Sequence, residues 1–585
     1  MNKQEMDVLN ELLQRPYVNQ RDLSVRTGHS LGVVNTALRH LAEGGYLTKE
    51  NLPTEKANAL ARENKPQSAV ILAAGYGIRM VPINMERPKA LLEVHGELLI
   101  ERTIRQLQEA GIRDIRVVVG YMKEQMEYLI DEFGVRLVVN PEYARKNNLH
   151  SLQRALSDLG NTYIIPGDLW CRVNPYRKQE LYSWYMVNEE MEEGSTVRTN
   201  RRQELVPVSA KEPGNAMVGI AYLTAKDAGI LRAQVEAMCC DPKHDDAFWE
   251  EALFSQTDFA VRARFIAADA VVEINTYEQL RNVDNTSSQL NTDAIRVICQ
   301  ALQVFPEQIT DIAVLKKGMT NRSFLFCCGG KRYIMRIPGE GTDQLINRTE
   351  EGAVYQAIRD KDICDRIAYI NPENGYKITE FLEGARVCDP LNEADVRRCM
   401  QRLRGFHDLQ LQVDHSFDIF GQIDFYESLW AGTPSAYRDY ASTKEKVLSL
   451  QSYLNKQEKT WCLTHIDAVP DNFLFVGEDI RLIDWEYAGM QDPHVDIAMF
   501  CIYAMYEEDW VDKTIDAYFS EGCSMQLRAK IYCYIAACGL LWSNWCEYKR
   551  QLGVEFGEYS LRQYRYAKDY YRRAKKLLEQ MEETI

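Results

Sequence analysis

The chain has 585 residues, of which 46% are hydrophobic and 26% are charged, and its formal net charge is −16. These fractions are typical of folded globular proteins, and the length predicts about four domains, or three larger ones. The acidic balance argues against a surface that coats nucleic acid, which needs clustered positive charge, but leaves room for one small DNA-reading domain.

Membrane and disulfide signals are weak. No stretch reaches the roughly 20 apolar residues that span a bilayer, and the first residues lack the apolar core of a signal peptide. The fifteen cysteines form no CxxC pair, and they are far too sparse for a disulfide scaffold. We therefore expect a cytoplasmic protein with reduced thiols.

Three helical patterns occupy residues 1–65, and Tyr46-Leu47-Thr48 after them is typical of the first strand of a wing. This order resembles a winged helix-turn-helix domain, in which the third helix enters the major groove of DNA. Nine Lys/Arg against eight Asp/Glu make the segment nearly neutral, so a docking or dimerisation role is the alternative to DNA binding. The side chains available for DNA contacts are His29, Asn35, Arg39 and His40.

Strands and helices alternate in the second segment, residues 66–286, after a polar stretch at 61–68 that is typical of a linker. This alternation predicts a mainly parallel sheet covered on both faces, with ligands beyond the carboxyl ends of the strands. A second linker is predicted at 285–289. Apolar runs predict strands at 69–73, 115–119, 135–139 and 163–165.

A glycine-rich run, LAAGYGIR, directly follows the first of these strands. Gly75 and Gly77 allow backbone N–H groups to approach phosphates, and Arg79 and Lys89 add positive charge. The full pattern, with Pro-Lys ten residues further on, resembles the signature of sugar-phosphate and alcohol-phosphate nucleotidyltransferases.

Three further segments narrow this resemblance, namely GYMKEQ at 120–125, NPEY at 140–143 and NNLHSL at 147–152. They are similar to Lic-type CTP:phosphocholine cytidylyltransferases. The resemblance implies a Rossmann-like α/β domain in which Arg79 and Lys89 serve catalysis. It also implies CTP binding by Leu72, Ala73, Ala74, Gly75, Gly77, Asn148 and Ser151.

The same chemistry needs a divalent cation, which we expect to be Mg²⁺. Asp168 ends a predicted strand and suits this ligand role, although a helix N-cap is the alternative. The family carries a late Glu-Ile-Asp motif, which here reads Glu-Ile-Asn and ends at Asn275. Asn275 can ligate through its carbonyl oxygen, but it removes one negative charge.

The cationic end of the second substrate should meet a carboxylate and aromatic rings. The resemblance assigns these parts to Asp246 and Trp249. A further tryptophan of the family has no counterpart near 201–206, so choline and ethanolamine both stay open.

The third segment, residues 287–585, contains HxDxxxxN at 465–472 and Ile-Asp-Trp at 483–485. This spacing suits Asp467 as the residue that orients the substrate hydroxyl, with Asn472 and Asp484 holding the metal ion beside ATP. The pattern resembles the choline-kinase and aminoglycoside-kinase group. It implies a bilobal, α+β protein-kinase-like domain with Mg²⁺ and ATP.

The kinase resemblance extends to nucleotide and substrate residues on both sides of these motifs. For the nucleotide it assigns Thr320, Asn321, Arg336, Glu351 (or Glu350) and Glu380. Trp542 and Trp545 lie three residues apart, which places them on one helical face as in the aromatic cage of choline kinases. Further pocket candidates are Tyr487, Asp492 and Asp496.

Together the sequence predicts a small winged-helix domain, an α/β nucleotidyltransferase and a protein-kinase-like domain. The two resemblances imply consecutive reactions, in which choline and ATP give phosphocholine, and phosphocholine and CTP give CDP-choline. The family analogy adds decoration of bacterial surface glycans or lipids. The alternatives are a regulator with degenerate enzyme domains, an ethanolamine-specific version, and a kinase fused to a sugar nucleotidyltransferase.

Overall fold

The computed structural model describes residues 1–157, 160–209, 212–254, 261–315, 321–339, 345–458 and 460–584. It forms two compact units, Met1–Arg296 with Ile312–Val314, and Val297–Asp311 with Leu315–Ile585. None of the helices in these described ranges has both the length and the apolar character that a bilayer crossing requires.

The first unit begins with the winged-helix domain. Its helices are α1 (Lys3–Gln14), α2 (Gln20–Thr27), α3 (Leu31–Glu43) and α4 (Glu55–Glu63). Side-chain oxygens of Asn2, Asn19 and Ser30 cap the first three helices, as expected for these residue types. The predicted wing is reduced to one antiparallel bridge between Leu47 and Pro53.

This small domain is built into the first unit. Leu181, from the following sheet domain, is 4% exposed and belongs to the hydrophobic core of the winged helix. Its neighbour Tyr182 donates a hydrogen bond to the Asp7 carboxylate. Arg177 forms an ion pair with Glu11 at 3.1 Å.

The polar stretch at 61–68, predicted to be a linker, is held to the sheet domain. Asn161 Nδ2 donates to the carbonyl oxygens of Glu63 and Lys65, at 2.7 and 3.0 Å. The segment then enters the central sheet directly, because the first strand begins at Ser68. Polar composition misled the prediction here, because the stretch meets its hydrogen-bond partner about one hundred residues further along the chain.

Leu181→Ala should therefore destabilise the first unit by about 2–5 kcal/mol, the usual cost of removing a fully buried leucine side chain. Thermal unfolding of the full chain should show a lower midpoint for that unit. Leu52→Ala is the matched control, because Leu52 is 52% exposed. Equal midpoints for the two variants would contradict the docking of the winged helix.

A seven-stranded sheet forms the centre of the first unit. The helices that follow the winged helix are α5 (Leu99–Glu109), α6 (Leu129–Phe133), α7 (Asn148–Ala155), α8 (Ala225–Cys239), α9 (Trp249–Phe254) and α10 (Tyr277–Val283). The strands are β1 (Ser68–Ala73), β2 (Glu93–Val94), β3 (Glu97–Leu98), β4 (Asp114–Val119), β5 (Arg136–Val139), β6 (Thr162–Pro166), β7 (Leu169–Cys171), β8 (Trp184–Glu192), β9 (Val197–Thr199), β10 (Leu205–Pro207), β11 (Gly214–Leu223), β12 (Arg262–Ile266) and β13 (Val271–Glu273).

The strand order β12-β8-β11-β6-β1-β4-β5 confirms the predicted mainly parallel sheet. Strand β1 runs parallel to both β4 and β6, and β5 runs parallel to β4. Only β11 is antiparallel to its described neighbours β6 and β8. The carboxyl end of β1 therefore lies beside that of β6, which brings the glycine-rich run close to Asp168.

Residues 285–289 do not form the predicted linker. The Gln289 side chain donates to the carbonyl of Leu91 at 3.0 Å and accepts from the N–H of Glu93 at 3.1 Å. Ser287 and Gln289 are both buried. The polar residues of this segment thus pack against β2 and the residues just before it.

Helix α11 (Asp293–Leu302) and strand β14 (Thr310–Val314) cross the boundary between the units along the chain. The strands of the second unit are β15 (Asn321–Cys328), β16 (Lys331–Pro338), β17 (Ile367–Ile370), β18 (Lys377–Glu380), β19 (Arg386–Val387), β20 (Cys462–Thr464), β21 (Phe473–Val476), β22 (Asp479–Leu482) and β23 (Gly489–Gln491). Its helices are α12 (Arg348–Ile358), α13 (Glu393–His407), α14 (Ile419–Ser428), α15 (Tyr440–Leu454), α16 (His494–Tyr503), α17 (Glu508–Tyr518), α18 (Met525–Gln551) and α19 (Glu558–Thr584).

The second unit has the two-part architecture predicted for it. Strands β15, β16, β18 and β17 lie side by side in that order. Helices α14, α15, α16 and α19 pack against α18, whose residues Ala529–Glu547 are buried. The HxDxxxxN motif lies just after β20, and Asp484 lies just after β22.

Candidate active sites

A cavity of about 790 Å³ lies at the carboxyl ends of β1 and β6. It brings together every residue that the sequence suggested for the first enzyme. These are Leu72, Ala73, Ala74, Gly75, Gly77, Arg79, Lys89, Asn148, Ser151, Asp168, Asp246, Trp249 and Asn275.

The glycine-rich loop has a geometric need for Gly77. Its φ is 57°, a left-handed conformation that side chains with a Cβ rarely adopt. A Cβ on Gly77 would also lie 3.0 Å from Cβ of Lys89. The glycine therefore allows Lys89 to pack directly against the loop.

Lys89 stands at the centre of the polar groups of this cavity. Its Nζ donates to the Asp168 carboxylate and, at 2.6 Å, to Oδ1 of Asn275. Arg79 donates to the same Asn275 oxygen at 3.2 Å. Two positively charged side chains thus converge on Asn275, and such charges suit the phosphates of a nucleoside triphosphate.

The oxygens at this point fit Mg²⁺. Among the described residues, Asp168 Oδ1 is buried and has no hydrogen-bond partner, and the Asn275 amide oxygen faces the same place. Glu273 lines the same cavity, where burial and the Asp168 charge raise its pKa. Mg²⁺ usually takes one or two carboxylates together with substrate phosphates, so this small oxygen set suffices.

Asn148 and Ser151 also shape the wall of the cavity. The Asn148 side chain accepts from the backbone N–H of Trp249 at 2.8 Å, which fixes the start of α9. Ser151 accepts from Asn140 at 3.0 Å. Asp246 is exposed at the rim, whereas Trp249 is fully buried.

A second cavity, of about 420 Å³, lies within the kinase-like unit. Of the residues that the sequence suggested, it is lined by Asn321, Arg336, Asp467, Asn472, Asp484, Tyr487, Trp542 and Trp545. Thr320 lies outside the described residues.

The catalytic-loop residues adopt the expected mutual arrangement. Asn472 Nδ2 donates to the Asp467 carbonyl at 2.9 Å and to its carboxylate at 3.2 Å. Burial, followed by the charges of Asp484 and Glu486, raises the pKa of Asp467. Burial and Glu486 likewise raise the pKa of Asp484. Such a concentration of carboxylates fits a site that binds Mg²⁺ and ATP through Asp484 and Asn472.

Asp492 and Asp496, suggested as pocket residues, have other partners and do not line the cavity. Asp496 accepts the backbone N–H groups of His465 and Ile466, at 2.9 and 2.7 Å. Asp492 forms a buried ion pair with Lys530 at 2.5 Å. Asp496 therefore positions the catalytic loop, and Asp492 ties the following turn to α18.

Arg336 and Glu351 form the expected pair, at 2.9 Å between Nη2 and Oε2. Sequence reasoning missed the buried network around them. Arg348 contacts both Glu351 and Glu486, at 2.8 and 2.9 Å, and its place three residues before Glu351 was the available signal. Lys377, opposite Arg336 in the β16–β18 register, lines the cavity as a second cation.

Glu380, suggested for the nucleotide hinge, does not line the cavity. Its carboxylate pairs with Lys331 at 3.1 Å, and its N–H donates to the Arg366 carbonyl at 2.9 Å. The carboxylate and the backbone N–H of Glu380 therefore both have partners within the protein.

Aromatic rings line the cavity close to Asp467. The Trp542 ring lies 5.7 Å from that of Tyr487 and 5.5 Å from that of Trp545, both edge-on. Tyr503 and Tyr559 line the same cavity, and sequence reasoning missed them because neither belongs to a motif. Ring faces beside a carboxylate suit a cationic ligand.

The candidate DNA-contacting side chains of the winged helix are partly engaged within the domain. His29 Nε2 lies 3.0 Å from the Asp7 carboxylate, and His40 Nδ1 lies 2.9 Å from that of Glu5. Asn35, Arg39 and His40 all lie on the exposed surface of α3. Asn35 accepts from the Gln20 amide at 3.4 Å, and Arg39 lies 4.0 Å from the Glu43 carboxylate.

Family models match all three parts of the chain. The Choline/ethanolamine kinase model matches residues 312–559, the MobA-like NTP transferase domain model matches 69–175, and the Winged helix-turn-helix DNA-binding model matches 1–48. Fold and cavities thus define a transferase with two active sites, a nucleotidyltransferase in the first unit and a kinase in the second.

Individual relatives indicate which cytidylyltransferases and kinases the chain is similar to. The choline-phosphate cytidylyltransferase of Streptococcus pneumoniae is 30% identical over 37% of this chain and 96% of its own length. The 2-aminoethylphosphonate cytidylyltransferase of Lancefieldella rimae is 30% identical over 37% of this chain and 92% of its own length. The structure of choline kinase LicA from Streptococcus pneumoniae has a TM-score of 0.42 and 28% identity, covering 48% of this chain and 97% of that one.

The chain belongs to the Lic-type family of cytidylyltransferases and kinases, and it carries both enzymes in one polypeptide. ATP and CTP are its nucleotide substrates.

Proposed function

We propose that the second unit phosphorylates choline with ATP and that the first unit converts the product with CTP into CDP-choline. The observation that carries this proposal is the aromatic wall of Tyr487, Trp542 and Trp545 in the same cavity as Asp467. A quaternary ammonium has no N–H to donate, so it needs ring faces rather than hydrogen-bond acceptors. The choline-phosphate cytidylyltransferase relative supports the second step.

In the first reaction, the choline hydroxyl oxygen attacks the γ-phosphorus of ATP and the bond to the β–γ bridging oxygen breaks. Asp467 orients the hydroxyl and accepts its proton, and ADP leaves. Arg336 and Lys377 hold the phosphates from the strand side of the cavity.

In the second reaction, a phosphocholine oxygen attacks the α-phosphorus of CTP and pyrophosphate leaves. Lys89 and Arg79 stabilise the charge that develops on the phosphates. We propose Mg²⁺ at both sites, held by Asp168 and Asn275 in the first; when bound, it would neutralise phosphate charge. Asn472 and Asp484 would hold it in the second site.

A test supplies the full chain with ATP, CTP, Mg²⁺ and either choline or ethanolamine, and follows the products by mass. CDP-choline is the expected product. Turnover of ethanolamine but not of choline would make ethanolamine the substrate. The similarity to a 2-aminoethylphosphonate cytidylyltransferase is the reason to include this alternative. In a parallel reaction that supplies CTP and a sugar 1-phosphate, formation of a CDP-sugar without turnover of either alcohol in the first reaction would contradict the proposal. All fifteen cysteines are free, which supports a cytoplasmic location for this synthesis.

For residues 1–65 we propose a docking role within the cytidylyltransferase unit. The support is the shared core with Leu181 and the engagement of His29 and His40 by carboxylates. A DNA-binding role would instead produce a gel shift with duplex DNA, and that shift would be lost in Arg39→Ala.

A further inference from the structure

A third cavity, of about 220 Å³, lies on the kinase-like unit, apart from the cavity that contains Asp467. It forms where the turn between α12 and β17 meets α13 and β22. The backbone N–H of Leu482 donates to the carbonyl of Ile363 at 2.9 Å, which fixes this turn against β22. The charged residues of the cavity wall are Asp362, Arg398, Arg402, Glu478, Asp479 and Arg481.

Two guanidinium groups meet in this cavity at a single carbonyl oxygen. Arg402 Nη2 and Arg481 Nη1 both donate to the backbone carbonyl of Asp362. Like charges held this close repel each other, and burial together with the Arg481 charge lowers the pKa of Arg402. An anion between the two guanidinium groups would relieve this repulsion.

The acids of the cavity wall equal the arginines in number but differ from them in exposure. The side chains of Asp362, Glu478 and Asp479 are between 74% and 99% exposed, whereas that of Arg481 is 17% exposed. Water therefore screens the negative charges at the rim more strongly than the positive charge inside. The interior of the cavity thus favours a negatively charged ligand.

Arg402 is the arginine of this cavity that can still bind a further group. Arg481 pairs with the Asp362 carboxylate, and Arg398 lies 3.6 Å from that of Glu478. Arg402 forms no ion pair with any carboxylate in the described ranges, where its buried Nε also has no hydrogen-bond partner. A guanidinium presents its donors in a fixed fork that matches the oxygens of a phosphate group. The unsatisfied N–H therefore indicates a phosphate-like acceptor.

We propose that this cavity binds a phosphate oxyanion between Arg402 and Arg481, either as a free ion or as the phosphate tail of a nucleotide. The anion would hold α13, β22 and the turn after α12 together. Helix α12 carries Glu351, and β22 leads to Asp484, so a bound anion stabilises the region behind the ATP site. The inference is independent of which alcohol the kinase phosphorylates, because the cavity lies outside both active sites.

The experiment measures phosphate binding to the full chain by calorimetry and by the thermal midpoint. The probes are inorganic phosphate, pyrophosphate and CTP, each in buffer without Mg²⁺, and sodium chloride at equal ionic strength controls for screening. The proteins are wild type, Arg402→Gln, Arg402→Lys and Arg397→Gln. Arg397 is the matched control, because it is exposed on the same helix and does not line the cavity.

A saturating phosphate probe should raise the wild-type midpoint by about 2–4 °C, whereas sodium chloride should not. Arg402→Gln should lose this rise and bind at least about tenfold more weakly, since a charge-assisted contact is removed. Arg402→Lys should keep part of the binding, because it retains the charge without the fork. Arg397→Gln should behave like the wild type, and any binding at the active sites should be equal in all four proteins.

The probes also identify the source of the phosphate group. A rise with inorganic phosphate or pyrophosphate that depends on Arg402 assigns a free oxyanion, and such a rise with CTP alone assigns a nucleotide tail. Equal rises in wild type and Arg402→Gln would overturn the proposal. So would an equal loss in Arg397→Gln, or a wild-type midpoint that none of the three probes raises.

Discussion

Asp467→Ala should abolish choline phosphorylation, with kcat about 10²- to 10⁴-fold lower, the usual contribution of a positioned general base. Asp467 is held by Asn472 and shares its cavity with Asp484, so alanine removes the group that orients the hydroxyl and leaves the nucleotide site. The measurement is ADP release with choline and ATP. Supplying phosphocholine and CTP should restore CDP-choline formation to the wild-type rate.

Asp479→Ala serves as the matched control for this variant, because its side chain is 74% exposed on β22, outside the cavity. It should keep both activities. Loss of both activities in Asp467→Ala would contradict two separate catalytic sites, and retained phosphorylation would remove Asp467 from its assigned role.

Lys89→Ala should have a comparable effect on the other reaction. Its Nζ contacts both Asp168 and Asn275, and removing one preorganised charge of this kind usually costs about 10²- to 10³-fold in kcat. With choline, ATP and CTP all present, this variant should accumulate phosphocholine in place of CDP-choline. Added phosphocholine should not rescue it.

Lys226→Ala is the control here, because Lys226 is exposed on α8 and does not line the cavity. It should convert choline to CDP-choline like the wild type. If Lys89→Ala does the same, Lys89 does not act on the phosphates of CTP.

Local motifs were the parts of the sites that could be read most completely from the sequence. Gly75, Gly77 and Arg79 lie within one short loop, and Asp467 and Asn472 lie within another. Because such loops create their geometry over a few consecutive residues, residue type and spacing carry most of the information. In the structure all five of these residues line the two cavities.

The roles of residues whose partners lie far away in the chain could not be predicted from the sequence. The sequence suggested Asp492 and Asp496 as pocket residues. In the structure Asp492 forms an ion pair with Lys530, and Asp496 accepts hydrogen bonds from the backbone N–H groups of His465 and Ile466. Nothing in their local sequence distinguishes a carboxylate that faces a ligand from one that is satisfied inside the protein.

The sequence by itself determined the fold class of each part and the chemistry of both reactions, since periodicity and short motifs encode these locally. Only the tertiary structure decided that the stretches at 61–68 and 285–289 pack against the sheet domain, and that Leu181 completes the winged-helix core. Burial and hydrogen-bond satisfaction depend on residues far apart in the chain, and no local pattern records them.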